Sequence, residues 1–165
     1  MSSSRDFPSV DYIAVGTIGE PGKRVFLLQA RYLDDFVTLK VEKSQVAALA
    51  HHLGEILQGL SRPGHLEEPS QILTPYEIAW SVVSISISYD ENDDRIYLLF
   101  EEHQAGDAEP SSLQIALSRE QAAVIAIQSA SLVAAGRPLC PLCGFPLDAD
   151  GHACPKTNGH RAPSL

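Results

Sequence analysis

Residues 37–49, VTLKVEKSQVAAL, and residues 113–125, LQIALSREQAAVI, are two versions of one pattern set 76 positions apart. In each, three apolar residues (Val37, Leu39 and Val41; Leu113, Ile115 and Leu117) alternate with polar ones and run directly into a helical sequence. Period-two alternation marks a half-buried strand, and the 3.6-residue period that follows marks an amphipathic helix. Ser44 and Ser118 are the expected N-caps, because a serine oxygen at a helix start accepts one of the N–H groups that the helix leaves unpaired.

The duplication extends upstream. Residues 11–18 (DYIAVGTI) and 24–31 (RVFLLQAR) form a hairpin pattern around Gly19-Glu20-Pro21-Gly22, and residues 79–89 (AWSVVSISISY) and 95–103 (RIYLLFEEH) form another around Asp90 to Asp94. The fold class is therefore α+β: a duplicated βββα unit giving a mostly antiparallel sheet with two helices, followed by a zinc knuckle. The expected body is 1–136, with repeats at 11–60 and 77–136, and the expected tail is 137–165. VFLLQ and IYLLF, being continuously apolar, predict central strands covered on both sides, and the alternating third strands predict positions nearer an edge. In the first helix Val46, Leu49, Leu53, Ile56, Leu57 and Leu60 share a face, which leaves His51, Glu55 and Gln58 outside and His52 at the margin, so neither histidine needs a ligand role. The second helix is apolar or small nearly all round, which calls for cover on two sides, and the tail is the expected cover. Gly136 is its expected stop. The proline-rich stretch LSRPGHLEEPSQILTPYE, residues 60–77, predicts a connector.

All three cysteines fall in CPLCGFPLDADGHACP, where Cys140 and Cys143 form a Cys-x-x-Cys pair and Cys154 follows. Thiolates so spaced converge on one Zn²⁺, which takes four tetrahedral ligands in a structural site. His152, two residues before Cys154 and within reach if the backbone is extended, is the first candidate for the fourth ligand, with His160 as the alternative. A Cys-rich four-ligand set is closed and structural, not catalytic, and Asp148 and Asp150 suit a turn better than a general base.

Other patterns have plainer explanations. GTIGEPGK at 16–23 misplaces the first glycine of a phosphate loop, has Arg24 where Ser or Thr is needed, and precedes a strand. The acidic run Asp90 to Asp94 has calcium-loop spacing but Arg95 in the glycine position, which leaves a hairpin turn. Ser84, Ser86 and Ser88 share one side of their strand and Val83, Ile85, Ile87 and Tyr89 the other. The hydroxyl row suits either a solvent face or a polar groove. Trp80 and Tyr76 read as packing. No catalytic residue or organic-cofactor site is predicted.

Twelve Lys and Arg against twenty-one Asp and Glu give a net charge of −9, which repels a phosphate backbone. The hydrophobic content of 44% and the absence of any span-length apolar run place the chain among soluble proteins with no membrane segment. MSSSRDFPSV carries no secretory pattern, so a cytoplasmic location is expected, in keeping with clustered thiols.

The GT-x-GEPG-x-R turn at 16–24 and the CPLCG/GH-x-CP tail resemble an uncharacterised actinobacterial family, domain of unknown function 3090, over nearly the whole chain. That resemblance implies Cys140, Cys143, Cys154 and His152 as shared tail residues. It also implies partnership with neighbours similar to a lipid-kinase-like protein and a histidine-type phosphatase, and it brings no established activity. The functional expectation is a non-enzymatic cytoplasmic zinc-binding module for protein interaction or regulation. The alternative is a small-ligand binder or enzyme using a groove between the repeats, where the serine row and the Gly19 to Gly22 turn meet.

Overall fold

The computed structural model describes residues 3–20, 22–135 and Leu142. The expected end of the second helix at Gly136, and the tail except Leu142, lie outside the described residues. The elements are β1 (Ser4–Phe7), β2 (Tyr12–Ile18), β3 (Val25–Tyr32), β4 (Asp35–Val41), α1 (Lys43–Gln58), β5 (Ile78–Asp90), β6 (Arg95–Glu102), β7 (Ser112–Leu117) and α2 (Arg119–Ala135). Three strands and a helix thus occur twice, preceded by β1, a short strand that the sequence reading left out.

One seven-stranded sheet runs β1-β7-β6-β5-β4-β3-β2. The two three-strand meanders are antiparallel, and the two junctions, β4 with β5 and β7 with β1, are parallel. Strands β1 and β2 occupy opposite edges, yet only residues 8–11 separate them. At ~4.8 Å per strand a flat sheet would hold its edges about 29 Å apart. The five steps from Phe7 to Tyr12 reach at most about 18 Å. The sheet must therefore curl until its edges approach.

Pairing register gives the duplication its physical content. Leu39 faces Leu28 on one side and Trp80 on the other, while Ile115, 76 residues later, faces Leu98 and Phe7. Phe7 and Trp80 are therefore counterparts, both buried. In the second copy the first strand is continuous: β5 pairs with β4 at its start and with β6 beyond a register shift between Val82 and Ser84. In the first copy the same segment is broken into β1, which pairs with β7, and β2, which pairs with β3.

The inward face carries Ile13, Val15, Phe26, Leu28, Ala30, Val37, Leu39 and Val41 from the first copy. Ile96, Leu98, Phe100, Leu113, Ile115 and Leu117 extend the same core in the second. Val46, Leu49 and Leu53 of α1 and Ala122 and Ile125 of α2 fill it, each large aliphatic contributing about 1.5–3 kcal/mol through burial. The helices pack on each other, and each also crosses to the other copy, α1 to β5 and α2 to β2.

Several local expectations are corrected. β3 is buried on both faces although it stands next to the edge strand β2, and β6 alternates buried and half-buried residues, its inner face being the covered one among the described residues. Of the third strands, β7 does lie next to an edge strand, β1, whereas β4 lies further in than β3, since β5 pairs with it. Val83 is exposed instead of sharing a side with Ile85, because the bulge moves Val82 to the core in its place.

Ser44 is not the N-cap of α1; Glu42, with extended φ −93° and ψ 153°, is. The reason is the Gln three residues after the cap. Gln45 Oε1 accepts the Glu42 N–H at 2.9 Å, so Ser44 falls inside the first turn. Ser118 does cap α2, accepting the Gln121 N–H at 3.1 Å while Gln121 Oε1 accepts the Ser118 N–H at 3.0 Å, a reciprocal capping box. The other end of each amide ties the helix to the point where the opposite copy's first strand changes partner. Gln45 Nε2 donates to the carbonyls of Val82 (3.0 Å) and Val83 (3.3 Å), and Gln121 Nε2 to that of Val10 (3.0 Å). Replacing either Gln by Ala should lower stability by about 1–2 kcal/mol. Urea denaturation at constant m-value is the check, and an unchanged midpoint would refute these roles.

Candidate functional site

The expected zinc ligands Cys140, Cys143, His152 and Cys154, and the alternative His160, lie outside the described residues. Among the described residues the serine row lines no groove. Ser84, Ser86 and Ser88 are exposed on the outer face of β5, and Ser84 Oγ donates to Glu101 at 2.9 Å. The Gly19 to Gly22 turn closes the β2–β3 hairpin, with both glycines at positive φ (102° and 89°) and Lys23 N–H donating to Glu20 O. Trp80 is buried at the β4–β5 junction. A gap between α1 and the sheet, lined by Val15, Leu28, Val41, Gln45, Leu49 and Phe100 among others, is apolar apart from Gln45 and too narrow for a water molecule.

Sequence reasoning missed the strap that residues 70–73 lay across the outer face of the first copy. Each residue of the strap meets a different anchor. Gln128 Nε2 of α2 donates to Ser70 O at 2.9 Å, Tyr12 O–H donates to Gln71 O, and Ile72 lies over Gly16. Leu73 is held by both its backbone groups: its N–H donates to Gln29 Oε1 at 2.7 Å, and its carbonyl accepts from Gln29 Nε2 at 3.0 Å. Gln29 is fully buried on β3 and also donates to Thr38 Oγ1 at 3.2 Å. A buried amide requires such partners, so the polar residue ending the apolar run VFLLQ is a main-chain clamp. Gly16 is needed for clearance, since a Cβ there would collide with Ile72.

Register assigns Gln29 and Thr38 the counterparts Leu99 and Gln114, and Ala14 and Gly16 the counterparts Ser86 and Ser88. The second copy thus lacks the clamp, and its serines face solvent.

At the start of α2 a second cluster holds the connector. Arg119 Nε donates to Asp94 Oδ1 at 2.8 Å and Arg119 Nη1 to Ser61 O at 3.2 Å, and Tyr89 O–H donates to the same Asp94 oxygen at 2.8 Å. The Gly64 N–H donates to Glu120 Oε1 at 2.9 Å. Asp94 therefore titrates below the usual carboxylate range, first through the Tyr89 hydroxyl and then through Arg119, and Glu120 does so first through the Gly64 N–H. Tyr89 is pushed up, chiefly by its bond to Asp94. Asp94 is also held at φ 51°, so the acidic run is a turn in which Asp90, Asp93 and Asp94 are engaged within the protein. Asp90 accepts from the N–H groups of Asn92 and Asp93, and Asp93 from Tyr97.

The outer face of α1 brings His51 and His52 to one carboxylate. His51 Nε2 lies 3.3 Å and His52 Nδ1 3.4 Å from the two oxygens of Glu55. Helical spacing placed His51 and Glu55 outside and His52 at the margin of the apolar face, but it did not show that both rings turn toward Glu55.

Fold and strap define a duplicated α+β domain in which polar side chains hold the protein's own main chain. The chain belongs to the family described as protein of unknown function DUF3090, whose model matches residues 5–154. No curated protein matches it. Among the described residues no helix is long and apolar enough to cross a membrane.

Gln29→Leu leaves both backbone groups of Leu73 without partners and should cost about 1–3 kcal/mol. Hydrogen exchange at the Leu73 amide should quicken while β6 amides keep their protection; equal loosening of both would contradict a local clamp. A lowered Asp94 pKa contributes stability that is present above the unfolded value of about 3.9 and is lost as pH falls through the folded value. Asp94→Asn should therefore flatten the acid limb of stability against pH below about pH 4, read by thermal melts. An unaltered limb would remove Asp94 from the account.

Proposed function

We propose that this is a cytoplasmic, non-enzymatic zinc-binding module that engages a protein partner. One observation carries it: the family match runs as a single unit from residue 5 to residue 154, taking in the body together with Cys140, Cys143, His152 and Cys154 and stopping short of His160. Three thiolates and an imidazole are a closed donor set for Zn²⁺ and would supply structure to the tail rather than a reactive position. The body supports the same reading, because its buried amides and its Arg119 cluster are spent on the connector and the helix starts, leaving the outer face of the second copy as a surface available for recognition.

A structural zinc in the tail has a direct consequence for α2. Ile127 on that helix is exposed, and the tail follows the helix directly. Cys140→Ser or Cys143→Ser should release zinc and promote aggregation through α2, whereas His160→Ala should retain the metal and His152→Ala lose it. Metal analysis and melting of the purified variants provide the test. Unchanged zinc and melting in both cysteine variants would overturn the proposal. A stoichiometric protein that co-purifies with the intact chain and is lost with the cysteine variants is the expected result for the partner. Specific turnover abolished by a surface substitution in a folded protein would replace this reading with an enzymatic one.

A further inference from the structure

The cluster on α1 has metal-site geometry separate from the tail. The donor atoms of His51, His52 and Glu55 all lie within 4.8 Å of one another, and among the described residues theirs is the one such group of three or more His, Cys, Asp and Glu. Each histidine stands beside its own Glu55 oxygen, His51 Nε2 at 3.3 Å from Oε1 and His52 Nδ1 at 3.4 Å from Oε2, close to the separation of about 3.3–3.4 Å between two donors on one Zn²⁺ with bonds of ~2.0–2.1 Å. Position on the helix accounts for this. Glu55 lies four residues after His51 and three after His52, the two spacings that place side chains on one face. His51 approaches through Nε2 and His52 through Nδ1, so two adjacent rings reach the same carboxylate despite leaving the helix in different directions. The side chains are 57–68% exposed, so small ring rotations can close the remaining gap between the histidines without disturbing the core.

We propose that His51, His52 and Glu55 form a binding site for a divalent transition metal, with Zn²⁺ the best fit to two imidazoles and a carboxylate. Three protein ligands leave a fourth position open to solvent. The other helix shows what occupies the corresponding surface when it is used. Gln128 stands 76 residues after His52, and its amide holds the passing Ser70 carbonyl. The open position on α1 can take a donor atom from an incoming chain in the same way. The site goes beyond the zinc-tail reading and does not depend on it.

The test uses the full chain and the metal ion alone. Co²⁺ titration of the wild type should show a component with weak visible bands and no thiolate charge transfer, and equilibrium dialysis with Zn²⁺ should show a matching equivalent. His51→Ala/His52→Ala should weaken that equivalent at least tenfold with unchanged melting, since neither ring is buried. Glu55→Gln, which keeps the size of the side chain, should weaken it as well. Equal Zn²⁺ binding by wild type and the double variant would overturn the site. The tail separates cleanly, because its cobalt complex would show thiolate charge transfer and respond to Cys140→Ser/Cys143→Ser. Failure of the tail reading would remove that signal and leave the α1 component in place.

Discussion

The shortness of the link between β1 and β2 constrains everything else in the body. Four residues cannot bridge the width of a flat seven-stranded sheet, so the sheet bends and draws its two edge strands, β1 and β2, toward each other. The bend creates a concave face that two helices fill together, and it makes the two copies interdependent. Each copy's third strand is paired by the first strand of the other, and each helix reaches across to the opposite copy. Neither copy has a core of its own, and all the inward residues form one cluster.

The duplicated glutamines hold this arrangement at its two weakest points. Where β5 bulges and where β1 gives way to β2, ladder hydrogen bonding is interrupted, and free carbonyls result. Gln45 and Gln121 supply donors there with the same amide that satisfies a helix N-terminus. An unpaired buried carbonyl is costly, so one side chain solves two problems in each copy. The outer faces have diverged instead. Gln29 clamps a strap on the first copy, whereas its counterpart Leu99 has no amide to offer and lies beside exposed serines.

The features legible in the sequence were those with local periodicity. The two alternating strands, the apolar stripe of α1 and both hairpin turns follow from side-chain spacing alone, and each sits where its pattern places it. The missed features depend on partners distant in the chain. Ser4-Arg5-Asp6-Phe7 has one apolar residue and no alternation to detect, and it becomes a strand through β7, 108 residues away. The Val82 bulge follows from changing partners along one strand, and the strap rests on an amide 44 residues from the backbone it holds. Ser44 misled because serine is a good cap in general, whereas the position of Gln45 decides the first turn here. The candidate metal ligands of the tail are read from spacing alone. The α1 cluster depended on ring orientation, which helical periodicity does not specify.

Pairing β1 with β7 also sets an order in time. Ser4–Phe7 is synthesised 108 residues before its partner Ser112–Leu117, an interval on the order of 5–20 s at ordinary translation rates. During that interval β3 can pair locally with β2 and β4 with β3, while β4 exposes the edge that β5 will occupy and the inner face waits for both helices. Long-range closure of this kind slows folding relative to local pairing. The nascent chain therefore presents an incompletely filled apolar face until β7 and α2 emerge, which makes the growing protein, more than the finished one, the species that needs protection from aggregation.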